Sequence, residues 1–186
     1  MKIFCDADET LFNSIDSVLI QLNRRFGTNY TMLDVTEWDF NNIFPQITSI
    51  EIEEIFDSVE FFDNLTWKDR ALDFVHKYYD NITIVTCGNE TNLYLKELFI
   101  RKWFPSIKFI GIESTVMDKS SVDMSGGIMI DDNQKNLWSC NADYKILFEN
   151  VPNTDWNDEW NGFYGKNWDD IDELVGYIIE EEKENE

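Results

Sequence analysis

Basic charge is scarce in this chain: 15 lysines and arginines stand against 37 aspartates and glutamates in 186 residues, a net charge of -22. Phosphodiester polymers are bound through clusters of Lys and Arg, so a nucleic acid duplex or long single strand is excluded as a partner. The same field repels small anions, and a phosphate site here needs a metal ion or a local lysine to reverse it. Cysteine is sparse too, with Cys5, Cys87 and Cys140 far apart and no C-x-x-C pair. That argues against a disulfide framework and a structural zinc, and points to a reducing compartment, read here as the cytosol. No apolar run approaches the roughly 18 residues of a membrane span, so no membrane partner is expected. Histidine occurs once, as His76, on a helical pattern remote from every strand end, and is read as structural. No repeat or low-complexity linker interrupts the chain.

Apolar and aromatic surface, by contrast, is plentiful. The sequence is 43% hydrophobic, with 7 Trp, 7 Tyr and 14 Phe, which excludes disorder. Runs rich in Ile, Val and Phe at 2–6, 82–87, 107–112 and 127–131 read as buried strands, with 144–149 a fifth. Helical patterns cover Ser14 to Phe26, Trp67 to Tyr79, Glu90 to Trp103 and 169–181. Apolar strands alternating with helices imply an α/β fold, a Rossmann-like parallel sheet covered on both faces. Right-handed crossovers then gather the C-terminal strand ends on one edge, where ligands of such folds bind. The interval of about 75 residues between the first two strands is too long for one crossover. Residues 16–64 are therefore read as a small, mostly helical cap, and 1–15 with 65–186 as the core.

The polar residues at the strand ends belong together: Asp6, Asp8 and Thr10 after the first strand, Thr86 after the second, Lys119 before the fourth, and Asp131 with Asp132 closing it. Four carboxylates on one spot cannot all stay ionised and unpaired, so the set demands a hard divalent cation, with Mg2+ favoured by oxygen ligands and a phosphate partner. Asp6 and Asp8, two apart, can divide the labour. One, beside the metal and Lys119, would have a lowered pKa and act as nucleophile; the other would have a raised one and act as acid, then base. Alone, D-x-D-x-T also fits a turn with an Asp cap; the order and spacing of the whole set set that reading aside. Cys87 has no histidine to activate it and is read as a packed residue whose backbone amide helps bind phosphate.

At these positions the chain resembles the haloacid dehalogenase (HAD) superfamily, whose four motifs match Asp6-Ala7-Asp8-Glu9-Thr10, Thr86, Lys119 and Asp131-Asp132. Within it, the chain is most similar to the 5'(3')-deoxyribonucleotidases, through EWDF, EFFDNL, IVTCGN, MDKS, IMIDDNQ and the Trp-rich ending. The resemblance implies a Mg2+-dependent phosphomonoesterase acting on a nucleoside monophosphate. Asp6 would form an aspartyl-phosphate, and Asp8 would protonate the leaving group and then activate water. Asp6, the backbone carbonyl of Asp8, and one or both of Asp131 and Asp132 would hold the metal, while Thr86 and Lys119 would grip the phosphoryl oxygens. Glu9 departs from the family, which usually has Gly there, and Thr10 follows the wider superfamily rather than the nucleotidases.

The cap aromatics Trp38, Phe40 and Phe61 could stack on a base or form the cap's own core. Trp156, Trp160 and Trp168 are read as a tail docked on the core. The expected partner is a small phosphomonoester, and a homodimer is compatible with the sequence. The rival readings are a two-component receiver domain, disfavoured by motif order and by the cap, a non-catalytic nucleotide binder, and a phosphatase for sugar phosphates or other metabolites.

Overall fold

The computed structural model describes residues 1–37, 39–113, 118–149 and 157–185. Six strands form one sheet among the described residues: β1 (Lys2–Cys5), β2 (Ile82–Gly88), β3 (Lys108–Glu113), β4 (Gly127–Asp131), β5 (Tyr144–Phe148) and β6 (Phe163–Gly165). Their order is β3-β2-β1-β4-β5-β6 and every neighbouring pair is parallel. β1 therefore lies at the centre, next to both β2 and β4, so the three strands that end in the motif residues are adjacent. Cys5 pairs with Ile84 on one side and Ile130 on the other, and the amide of Asp6 donates to the Ile130 carbonyl at 2.9 Å. That register puts Asp6 level with Asp131 and Thr86 one residue further along, all at one edge.

Alternate side chains of each strand go to opposite faces, as the pleat requires. Ile3, Cys5, Ile82, Ile84, Ile128, Ile130, Ile146 and Phe148 belong to the larger core; Phe4, Val85, Met129 and Leu147 belong to a smaller one. Both faces are apolar, which is why the strands read as continuous hydrophobic runs. The larger core is closed by α1 (Ser14–Phe26), α5 (Ala71–Lys77) and α8 (Trp168–Asn185), and α6 (Glu90–Arg101) packs on β2 and β3. On the opposite side α7 (Gln134–Ser139) packs on β4 and β5. No helix of the described residues is long and apolar enough to cross a membrane.

Between β1 and β2 the chain forms α1, a 3-10 turn at Met32–Asp34, α2 (Phe40–Ile43), α3 (Ser49–Phe56) and α4 (Val59–Asn64). α3 starts in a full capping box: Thr48 and Glu51 satisfy each other's amides, the signal carried by T-S-I-E. α1 packs on α3 and α4, and the apolar side chains of this segment, among them Val35, Phe44, Ile55 and Phe61, run without a break into the larger core.

The five expected strands are all present, each within a residue or two of its expected bounds, and α1 has the expected limits. Other elements differ: α7 was not among the expected helices, and α8 runs on to Asn185. β6 is a sixth strand of three residues, too short to show a periodicity. The helix expected from Trp67 starts only at Ala71, because Trp67 bridges to Phe12 as extended chain and Arg70 takes a left-handed conformation with φ 65°. Trp168 docks as expected, 2% exposed and against Phe74 and Phe148 at ring separations of 4.5 and 5.2 Å. Trp160 is half-buried on the smaller core, and Trp156 lies outside the described residues.

Candidate active site

Three carboxylates converge where β1 and β4 end. Oxygens of Asp6, Asp131 and Asp132 all lie within 4.8 Å of one another, and all three residues are buried. Burying like charges so close is costly without a cation. Lys119 supplies one: its fully buried ammonium pairs with Asp6 and, at 2.6 Å, with Asp131. Burial opposes the charge on Lys119, but Asp131 and Asp6 outweigh it and hold its pKa above the ordinary value.

One lysine does not neutralise three acids. Burial raises Asp6 to about 7; Lys119 pulls it back, and Asp131 and Asp8 push it further up. Without a metal ion, desolvation exceeds the attraction of Lys119; the lowered value expected of the nucleophile is that of a carboxylate beside both Lys119 and a bound metal. Asp132 is also raised well above the ordinary carboxylate value, again by burial first and then by Asp131 and Asp6. Thr10 bonds the backbone amide of Asp132 at 3.1 Å and donates weakly to its Oδ1 at 3.4 Å, whereas its Oδ2 is buried with no hydrogen-bond partner. Both oxygens of Asp131 are engaged, Oδ2 by Lys119 and Oδ1 by the Asn133 amide (2.9 Å) and the Asn136 side chain (3.0 Å). An orphaned buried oxygen beside two further carboxylates fits a hard cation such as Mg2+.

Asp8 is a partial exception to the expected cluster. Its carboxylate is not among the converging three; Ser14 donates to Oδ1 at 2.7 Å and Lys96 to Oδ2 at 2.5 Å. The cause is Lys96, which the sequence reading missed. It is fully buried on α6, and its ammonium also reaches the Thr86 hydroxyl (3.0 Å) and the Cys87 carbonyl (3.2 Å). A signal existed: Asn92, Lys96 and Ile100 are all buried at helical spacing, so Lys96 is a charge set in the apolar stripe of its helix. Cys87 is half-buried, and burial pushes its thiol up to about 11, which suits a packed residue rather than a nucleophile.

Glu9 has a physical explanation. Its φ is 52°, in the left-handed region where Gly is the ordinary choice. Its side chain is folded inward, accepting from the Ile15 amide at 2.7 Å and from the Lys68 ammonium at 3.0 Å. Burial raises its pKa, and Lys68 and the Ile15 amide partly offset that.

The described aromatics expected to stack on a base differ in accessibility. Phe61 is fully buried, with Phe56 and Phe62 at ring separations of 5.1 and 5.0 Å. Phe40 is half-buried beside Phe44 and Phe56, and Trp38 lies outside the described residues. His76 is exposed against Phe104, away from the acid cluster, as expected.

No curated protein matches the chain in sequence. Solved structures share its fold over nearly its whole length. A haloacid dehalogenase-like protein of unknown function from Agrobacterium tumefaciens aligns with a TM-score of 0.66 at 12% identity, over 95% of this chain and 98% of that one. A haloacid dehalogenase-like family hydrolase from Streptococcus pneumoniae gives 0.61 at 12% identity, over 95% and 97%. The HAD-hydrolase YfnB from Bacillus subtilis, described as bound to magnesium, gives 0.61 at 10% identity, over 94% and 98%. The family model for "5' nucleotidase, deoxy (Pyrimidine), cytosolic type C protein" matches residues 1–181. With that match running from β1 into α8 and taking in the acid cluster, the chain belongs to the NT5C family of 5'-nucleotidase hydrolases, and it shares the fold of haloacid dehalogenase-like hydrolases.

Proposed function

We propose that the protein is a Mg2+-dependent phosphomonoesterase of the cytosol that hydrolyses deoxynucleoside or nucleoside monophosphates through an aspartyl-phosphate on Asp6. The observation that carries this is the group Asp6, Asp131, Asp132 and Lys119, in which three buried acids meet one buried ammonium and one carboxylate oxygen lacks a partner. Asp6 and Asp132 would hold the ion, together with the backbone carbonyl of Asp8, and Asp131 would fix Lys119. When bound, the ion neutralises phosphoryl charge and keeps Asp6 ionised. The family description supports both the substrate class and the compartment.

Each residue then has a task. Asp6 attacks phosphorus, and the P–O bond to the leaving alkoxide breaks as the O–P bond to Asp6 forms. Lys119 and the Thr86 hydroxyl bind phosphoryl oxygens. Asp8 gives its proton to the alkoxide and takes one from the water that hydrolyses the acyl-phosphate. Lys96 pairs with Asp8 while the site is empty. An arriving phosphoryl group competes for the ammonium, which already donates to the Thr86 hydroxyl at 3.0 Å, and frees Asp8 to take from solvent the proton that it gives to the alkoxide.

A second reading has its own support. Phe61 is consumed by the cap's core and Phe40 is only half-exposed, so the cap offers less stacking surface than expected, which favours a smaller phosphorylated metabolite. The test is a panel of phosphate esters assayed with Mg2+, using Asp6→Asn as the control. We expect dUMP and dTMP to exceed sugar phosphates, and Asp6→Asn or a chelator to lower turnover by about 10³-fold or more, as loss of a nucleophile does. More than about a hundredth of the rate surviving in Asp6→Asn would sink covalent catalysis; faster sugar phosphate turnover would favour the second reading.

A further inference from the structure

We propose that the pair of the buried Glu9 and the partly buried Lys68 is a positioning device that ties the catalytic loop to both connections of the cap and thereby sets the Asp8 carboxylate. The proposal rests on Asp8 being the acid and base of the reaction above. Its starting point is a departure from local preference: a non-glycine residue at φ 52° whose carboxylate is buried, with the residue only 3% exposed. Backbone of that kind persists where surrounding contacts over-determine it.

Those contacts run to both hinges. The outgoing connection, 11–14, and the returning one, 66–68, are joined by the Phe12–Trp67 bridge, by the Asn13 amide on the Thr66 carbonyl (2.9 Å) and by the Lys68 amide on the Leu11 carbonyl (2.8 Å). Glu9 closes this junction from the catalytic loop. One carboxylate oxygen accepts from Ile15 in the first turn of α1, and the other from Lys68 at 3.0 Å. It thus performs the capping that Asn13, the N-cap residue, does not: Asn13 makes no side-chain cap bond and instead turns to Thr66 (2.9 Å) and Lys68 (3.2 Å). The residue between Asn13 and Ile15 is Ser14, whose hydroxyl holds Asp8 at 2.7 Å. A shift of Glu9 or Lys68 therefore reaches the donor on Asp8 through a single residue. Glycine at position 9 would relax the backbone but leave the α1 amide and the partly buried Lys68 ammonium without this acceptor.

The test uses full-length wild type, Glu9→Gln, Lys68→Met and Lys68→Arg, with two readouts. The first is kcat and KM on p-nitrophenyl phosphate with Mg2+. The second, independent of activity, is hydrogen exchange of peptides spanning 7–17. We expect Glu9→Gln and Lys68→Met to lose about 10- to 100-fold in kcat with KM within roughly threefold, the signature of a displaced catalytic group. Exchange in 7–17 should quicken about tenfold or more as local opening becomes easier, and Lys68→Arg should recover most of both. Unchanged kcat in Lys68→Met overturns the proposal even if exchange quickens, because the pair then stabilises the hinge without placing Asp8; unchanged exchange overturns it as well. Should Lys68→Met not fold, Glu9→Gln, which keeps the side-chain shape and an acceptor for Ile15, decides alone. A wild type inactive on every phosphate ester sinks the phosphatase reading and the role of Asp8 with it, whereas an active wild type with indifferent variants sinks only the positioning device.

Discussion

Asp8 is held from two sides, by a hydroxyl from the cap connection and by an ammonium from the core, at 2.7 and 2.5 Å. The ammonium belongs to a lysine with no exposed surface, so removing it leaves the Asp8 carboxylate, its side chain 26% exposed, without its counter-charge. Lys96→Met, close in shape, should therefore fold yet lose about 10²-fold in kcat/KM, the equivalent of roughly 2.7 kcal/mol of transition-state stabilisation. Steady-state assays on p-nitrophenyl phosphate check this, and a loss below about threefold would remove Lys96 from the site. The residues differed in how plainly they could be read. Asp6, Thr86, Lys119, Asp131 and Asp132 announce themselves because each follows or precedes a strand in a fixed order. Lys96 sits inside a helix, where a charged side chain ordinarily faces water; only its phase with Asn92 and Ile100 betrays it. Glu9 looked anomalous because φ cannot be read from one residue name.

At the scale of elements, the helices between β1 and β2 show how an aromatic-rich segment packs. α3 and α4 turn Ile52, Ile55, Phe61 and Phe62 inward, and Phe56 bridges Phe40 and Phe61. Phe61→Ala should accordingly cost about 3–5 kcal/mol, as truncation of a buried ring does. For a chain of this length that is a fall in melting temperature of roughly 10 °C. Phe40→Ala, half-exposed, should instead raise KM for nucleotides severalfold while leaving p-nitrophenyl phosphate unaffected, because stacking contributes about 1–3 kcal/mol per base. Equal KM shifts on both substrates would assign Phe40 to packing alone. Strand and helix positions were legible because both faces of the sheet are apolar and α1 and α3 carry clear periodicity. The division of the cap aromatics was not, since burial among rings and exposure to a base demand the same residue types.

For the molecule as a whole, the acid cluster links global stability to pH. Asp6 binds its proton more tightly folded, at about 7, than at the ordinary carboxylate value of 3.8. Stability drawn from this group is thus full below 3.8 and declines as pH rises, the loss being complete a little above 7. Asp132 acts in the same direction. In metal-depleted protein the penalty reaches at most about 4 kcal/mol at neutral pH, at 1.36 kcal/mol per unit. Urea midpoints of wild type and Asp6→Asn should differ little at pH 4, with the variant ahead by pH 7.5 and the gap shrinking when Mg2+ is added. A gap that widens toward acid would reverse the sign and refute the account.

Lys96 and Lys119 are both buried and already joined to carboxylates of the site. On the mechanism proposed above, these carboxylates would compete with phosphate for the same ammonium groups. Once the ester is cleaved and inorganic phosphate starts to leave, Asp8, Asp6 and Asp131 would reclaim their cations and close the gap behind it. The affinity for free phosphate should then be held down by the protein's own anions, and weak inhibition by the product is the expected consequence.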